Sequence, residues 1–225
     1  MRAQAKRGPR DWIEWPFFEP RHRALVERLD AFIASPEVDA INPHDVDGSC
    51  RRLVRDMGRA GLLEAALAPA DSDATAIDSR SACLARETFA WRDGLADFAF
   101  AMQGLGSGAI AIAGSPELRA AVLPKTRAGE WLAGFALSEK EAGSDAAAMV
   151  CSALLDGDSY LIDGEKTWIS NGGIADVYTL FARTGEAPGA RGVSAFVVFP
   201  DDPGFSIVER IEVIAPHPLA TLRFE

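Results

Sequence analysis

The period of the hydrophobic pattern changes once along this chain, near Gly129, and that change limits the fold more than any other feature. Upstream, apolar residues recur three and four positions apart: Leu25, Leu29, Phe32 and Ile33 in the stretch Arg21 to Ala34, and Leu53, Val54, Met57 and Ala60 in Arg51 to Leu63. Each set falls on one face of a helix. Ala76 to Trp91 is a third helix candidate, and Leu95 to Ala113 is rich enough in Ala, Ile, Leu and Phe to form a helix pair buried on most sides. Ser115, Pro116 and Glu117 supply an N-cap, a first-turn proline and a first-turn acid, and Gly129 can close that helix.

Beyond Gly129 the chain becomes a series of short β-branched and aromatic segments separated by Gly, Asp and Pro. Strand candidates are Trp131 to Leu137, Met149 to Leu154, Tyr160 to Ile162, Lys166 to Ile169, Val177 to Arg183, Ala195 to Phe199 and Leu222 to Phe224. Asp163-Gly164 is the strongest short-range hairpin signal. The expected class is α+β: an all-helical domain over 1–129, then an antiparallel β-barrel-like domain over 130–225 that is incomplete at its C-terminus. Gly185 to Gly192 is an exposed-loop candidate, and no internal repeat or low-complexity tract interrupts the pattern.

A formal net charge of −10 opposes attraction to nucleic acid or an anionic membrane, leaving a small-molecule ligand as the expected partner. Cys50, Cys83 and Cys151 are odd in number and widely spaced, which fits reduced cysteines of a cytoplasmic protein. His22, His44 and His217 have no partners at metal-ligand spacing, so no metal site is expected. The basic opening MRAQAKRGPR lacks an apolar run after it, and Phe98 to Ala113 falls short of the roughly 20 apolar residues that span a bilayer.

Two segments carry candidate chemistry. In Phe135 to Asp145, FALSEKEAGSD, a strand enters a turn where Gly143 permits a backbone geometry closed to other residues, so successive N–H groups could face an anion flanked by Ser138 and Ser144. An ordinary strand exit with solvated polar residues fits the same letters. In Lys166 to Gly173, KTWISNGG, the Trp168 ring beside the Ser170 hydroxyl suits a planar heteroaromatic ligand, although Trp168 taken alone fits a core aromatic better.

Taken together, FALSEKEAGSD and DGDSYLIDGEKTWISNG strongly resemble the flavin-binding region of acyl-CoA dehydrogenases. RDMGRAGLLE, GSPELRAAVLPKTRAGEWLAGFALSE, VYTLFARTG and GVSAFVV extend the resemblance from about Arg21 to the end. It implies an FAD-dependent oxidoreductase of fatty acid metabolism acting on CH–CH donors. Such an enzyme oxidises the Cα–Cβ bond of an acyl-CoA thioester, passes electrons to electron-transfer flavoprotein, and forms homo- or hetero-oligomers. By position it implies that Phe135, Ala136 and Leu137 line the flavin and that Ser138 hydrogen-bonds the ring edge. Gly143 and Ser144 would approach the pyrophosphate, with Ser144 also reaching the CoA arm, and Trp168, Ile169 and Ser170 would lie along the isoalloxazine. Ser138 and Ser170 stand where the family usually has threonine, and Lys140-Glu141 stands where a proline and a small residue are common.

The family's base is a glutamate of a C-terminal four-helix domain, so no residue here is expected to be catalytic, and Glu139 and Asp145 are expected in turn and capping roles. With Glu225 inside a late strand, the expectation is a truncated dehydrogenase, inactive alone. The alternative is a non-catalytic, dehydrogenase-like subunit that acts by association or weak flavin or acyl-CoA binding. Gly104, Gly106 and Gly108 mimic a dinucleotide-binding fingerprint but lack the βαβ context, and are expected to permit close helix packing. Trp12, Trp15, Phe17 and Phe18 are expected to anchor the N-terminal segment on the helical domain.

Overall fold

The computed structural model describes residues 8, 10–67, 77–185 and 187–225. The opening decapeptide, the first residue of the Ala76 to Trp91 candidate and part of the Gly185 to Gly192 loop therefore lie wholly or partly outside the described residues. Six α-helices are described: α1 Pro20–Ile33, α2 Pro36–Asp39, α3 Val46–Arg59, α4 Ser79–Arg92, α5 Gly94–Ala113 and α6 Pro116–Arg127. The apolar stripes of α1 and α3 meet α4 and α5 in one core that contains Leu29, Leu53, Met57, Phe89 and Phe100. His22 is structural: its Nδ1 accepts the Glu19 N–H at 2.9 Å, and its Nε2 lies 2.8 Å from Asp78 Oδ2 at the start of α4. Ser115 caps α6 by accepting the Leu118 N–H, and Gly129 ends that helix with φ of 72°.

The expected helix pair is one continuous 20-residue helix, α5. It is long and apolar enough to cross a membrane, yet it is the central core helix, with more than half of its apolar window buried in the protein. Gly104 and Gly106 serve packing rather than phosphate binding, because no strand-to-helix turn exists there. A Cβ on Gly104 would come within 2.5 Å of the Ala66 carbonyl oxygen, and one on Gly106 within 2.7 Å of Ala133 Cβ; Gly108 faces open space. Gly106→Ala is therefore expected to lower stability by about 1–3 kcal/mol through overpacking, despite the better helix propensity of alanine. Thermal denaturation of the two proteins measures the difference.

Seven strands follow among the described residues: β1 Ala133–Ala136, β2 Ser152–Asp156, β3 Ser159–Ser170, β4 Val177–Arg183, β5 Val193–Val198, β6 Phe205–Arg210 and β7 Leu219–Phe224. They form a curled sheet in the order β1-β4-β2-β3-β7-β6, with β5 on the other edge of β4. The sheet is mixed rather than purely antiparallel, since β1 and β2 both run parallel to β4. The hairpin turn lies at Gly157-Asp158, not at Asp163-Gly164, and Tyr160 to Ile162 joins Lys166 to Ile169 in one 12-residue strand. Gly164 is needed for a different reason. A Cβ there would lie 2.8 Å from Cys151 Cα, so the glycine admits a neighbouring backbone instead of making a turn.

Buried polar side chains fasten the helices to the sheet. Gln103 of α5 donates from Nε2 to the Thr126 and Trp131 carbonyls (3.1 and 2.8 Å), and its Oε1 accepts the Ala133 N–H at 2.9 Å. Thr179 of β4 donates to the Gly106 carbonyl at 2.7 Å. Asn171, left-handed at φ of 58°, donates to the Ala133 carbonyl at 2.9 Å and accepts the Cys50 thiol at 3.7 Å. The cysteines are free, and burial pushes the Cys50 thiol up to about 12 and the Cys151 thiol up to about 11, making both unreactive.

Candidate functional site

The two segments singled out from sequence converge. The Thr167 N–H donates to the Ser138 carbonyl at 2.9 Å, and Asn171 reaches the Ala133 carbonyl from the far end of the same stretch. Between these ties Phe135, Ala136 and Leu137 run alongside Trp168, Ile169 and Ser170 in the opposite direction. Ala136 and Ile169 are buried and supply the floor, while Phe135, Leu137, Ser138 and Ser170 are half-buried.

Trp168 is not a core aromatic. The pairing of β3 with β7 slips between Lys166 and Ile169, and this bulge places Trp168 at φ of 60° with its side chain 60% exposed. A bulky residue in the left-handed region is strained, and such strain persists only where the surroundings over-determine it. Here Ile169 resumes the ladder opposite Ala220, and the Thr167 hydroxyl lies 2.8 Å from that of Thr221. A large ring is thus held out of the sheet beside a strand end.

Gly143 and Ser144 are exposed in the turn that follows. That turn is closed by reciprocal backbone bonds between Glu139 and Ala142 and held at its far end by Arg183, which donates to the Ala147 carbonyl at 2.5 Å. Gly143 has no positive φ, and a Cβ there would meet nothing within 4 Å, so the geometric reason expected for this glycine is absent. Its backbone lies open to solvent. No hydrogen bond joins Gly143 or Ser144 to Trp168 among the described residues, and the Ser138, Ser144 and Ser170 hydroxyls have no hydrogen-bond partner there. Asp145 makes no side-chain cap.

Glu139 does more than shape a turn. Buried, it accepts the Val150 N–H at 2.7 Å, the Cys151 N–H at 3.0 Å and the Lys166 ammonium at 2.7 Å. Lys166 is fully buried and also donates to the Leu137 carbonyl at 3.1 Å. Burial alone would raise the Glu139 carboxyl, but the Lys166 ammonium and the two amides outweigh it and hold the carboxyl below its usual range. Sequence reasoning missed Lys166 because a lone charge on a strand looks like a solvated residue, and it missed Gln103 and Asn171 because an isolated amide side chain gives no sign of the distant backbone groups it will bond.

The profile described as acyl-CoA dehydrogenase, N-terminal domain, matches residues 19–130, and that of the middle domain matches residues 134–225. The chain belongs to the acyl-CoA dehydrogenase family. Among individual relatives, a probable acyl-CoA dehydrogenase of Mycobacterium leprae is 40% identical over 183 residues, covering 80% of this chain and 47% of its own length. An acyl-CoA dehydrogenase of Bacillus anthracis, solved in complex with FAD, superposes with a TM-score of 0.78 at 31% identity, over 92% of this chain and 36% of that one. A glutaryl-CoA dehydrogenase of Mycobacterium smegmatis, solved with FADH2, gives 0.74 at 27% identity, over 92% and 53%. The chain spans about half the length, or less, of the curated relatives it matches.

Proposed function

We propose that this chain forms the flavin-facing half of an enzyme that oxidises the Cα–Cβ bond of an acyl-CoA thioester, with FAD as the acceptor. The observation that carries this reading is the strained, outward-held Trp168 beside the end of β1. The residues fit the cofactor: a broad apolar ring, unpartnered hydroxyls at Ser138 and Ser170 and an open backbone at Gly143 and Ser144 suit a flat heteroaromatic ring with an anionic tail. FAD, when bound, accepts the hydride leaving Cβ. Trp168 and the strand Phe135 to Leu137 cover and orient the ring, Ser138 and Ser170 meet its polar edge, and Ser144 reaches toward the pyrophosphate and the CoA arm. Glu139 cannot remove the α-proton, because its carboxylate is already bonded to Lys166 and two amides.

The division into a helical unit over 1–129 and a flavin-contacting unit over 130–225, a cytoplasmic location and electron-transfer flavoprotein as the acceptor belong to the same reading. A second reading, association as a non-catalytic subunit, is favoured by the β2–β3 ribbon, where Leu154, Leu155 and Leu161 are 68%, 66% and 61% exposed. Purification of the 225-residue chain tests the first reading. A colourless protein that takes up FAD saturably but weakly is expected, since one face of the ring is left open. No saturable uptake at any FAD concentration would refute the assignment.

A further inference from the structure

We infer that Lys166 and Glu139 are positioning residues for flavin recognition: by holding the Leu137 carbonyl inward they aim the Ser138 N–H out of the protein beside Trp168. The inference rests on the flavin reading above and extends it to two residues that do not touch the ligand.

The Leu137–Ser138 peptide is trans, so its carbonyl and its N–H point in opposite directions. Lys166 draws that carbonyl into the interior at 3.1 Å. The Ser138 N–H must therefore point away from the interior, and it has no partner among the described residues. A backbone donor left unpaired in this way calls for a ligand or water acceptor. On the flavin it would meet a ring carbonyl or nitrogen. The same ammonium fixes the residue that precedes the Thr167–Trp168 bulge, so one buried cation sets both the hydrogen-bond donor and the ring that would face the cofactor. Glu139 keeps the ammonium in place, and its contacts with Val150 and Cys151 tie the turn that bears Gly143 and Ser144 to the same point.

A simple stability role for the pair makes a different prediction, and the double variant Lys166→Met/Glu139→Gln separates the two. Removing both charges leaves no unpaired ion, so the fold is retained better than in either single variant. The Leu137 carbonyl nevertheless loses its anchor. In the 15N-labelled chain without ligand, the Ser138 and Trp168 amide resonances are expected to move or broaden, while those of the α1–α3–α4 core stay in place. In an FAD titration the double variant should bind about tenfold more weakly than the parent, the loss expected for a misaimed hydrogen bond and ring contact. Unchanged Ser138 and Trp168 resonances would overturn the positioning role, as would parental FAD affinity in a folded double variant. If the parent itself shows no saturable FAD response, the flavin reading fails, and the ligand-free resonances still decide whether the pair orients the peptide.

Discussion

Lys166→Met alone is expected to destabilise the protein by about 3–5 kcal/mol, because the Glu139 carboxylate would stay buried without its counter-ion. Glu139→Gln should cost a comparable amount by stranding the fully buried ammonium. Chemical denaturation at pH 7 measures both. The two variants differ in their response to acid. The folded-state pKa of Glu139 is lowered, so its contribution is present above the ordinary glutamate value near 4.3 and is lost as the pH falls through the folded value. Glu139→Gln should therefore flatten the acid limb of the stability profile. Some acid sensitivity should persist through Asp78, whose carboxyl is also held low: burial opposes this, and hydrogen bonds from His22, Ser81 and Arg80 prevail. A Glu139→Gln profile as steep as the parent's would show that the carboxylate contributes nothing to acid unfolding.

The 225-residue chain supplied with FAD, acyl-CoAs of varied length and branching and an artificial electron acceptor is expected to show no turnover. The reaction needs a carboxylate against Cα as well as an oriented ring, and positioned general bases contribute about 10² to 10⁴ in rate. Glu139 is consumed by its ion pair, while Asp145 lies exposed in the turn beyond Ser144. A flavin ring covered on one face only would also admit water, which weakens every electrostatic contact that would stabilise the transition state. Adding the C-terminal half of a full-length relative as a separate polypeptide is expected to restore activity if it docks, and substitution of its base should abolish the gain. Turnover by the chain alone would place a base among the residues described above.

The helical half of the fold was legible from sequence because it is local. A 3.6-residue period, a serine cap and a closing glycine specify α1, α3 and α6 without reference to the rest of the chain. The sheet was less so. Asp163-Gly164 satisfies the local chemistry of a hairpin turn, and only the distant approach of Cys151 explains why the strand runs through it. Parallel pairing of β1 and β2 with β4 is likewise a long-range choice that alternation cannot reveal. At the candidate site, Trp168 and Ser138 were found by their resemblance to a motif, whereas the bulge that exposes the ring depends on pairing with β7. Lys166 stayed hidden because its partners lie 27 and 29 residues away in sequence.

The central claim is that the surface built from Phe135 to Ser138 and Trp168 to Ser170 receives the flavin ring. An FAD titration of the parent chain and of Trp168→Ala, followed by flavin fluorescence, tests it most directly. Trp168 is largely exposed and strained, so its replacement should change stability by no more than about 0.5 kcal/mol. The account predicts saturable binding by the parent and about tenfold weaker binding by Trp168→Ala, the loss of a stacked ring and its apolar cover. Equal affinities in two equally folded proteins would contradict it.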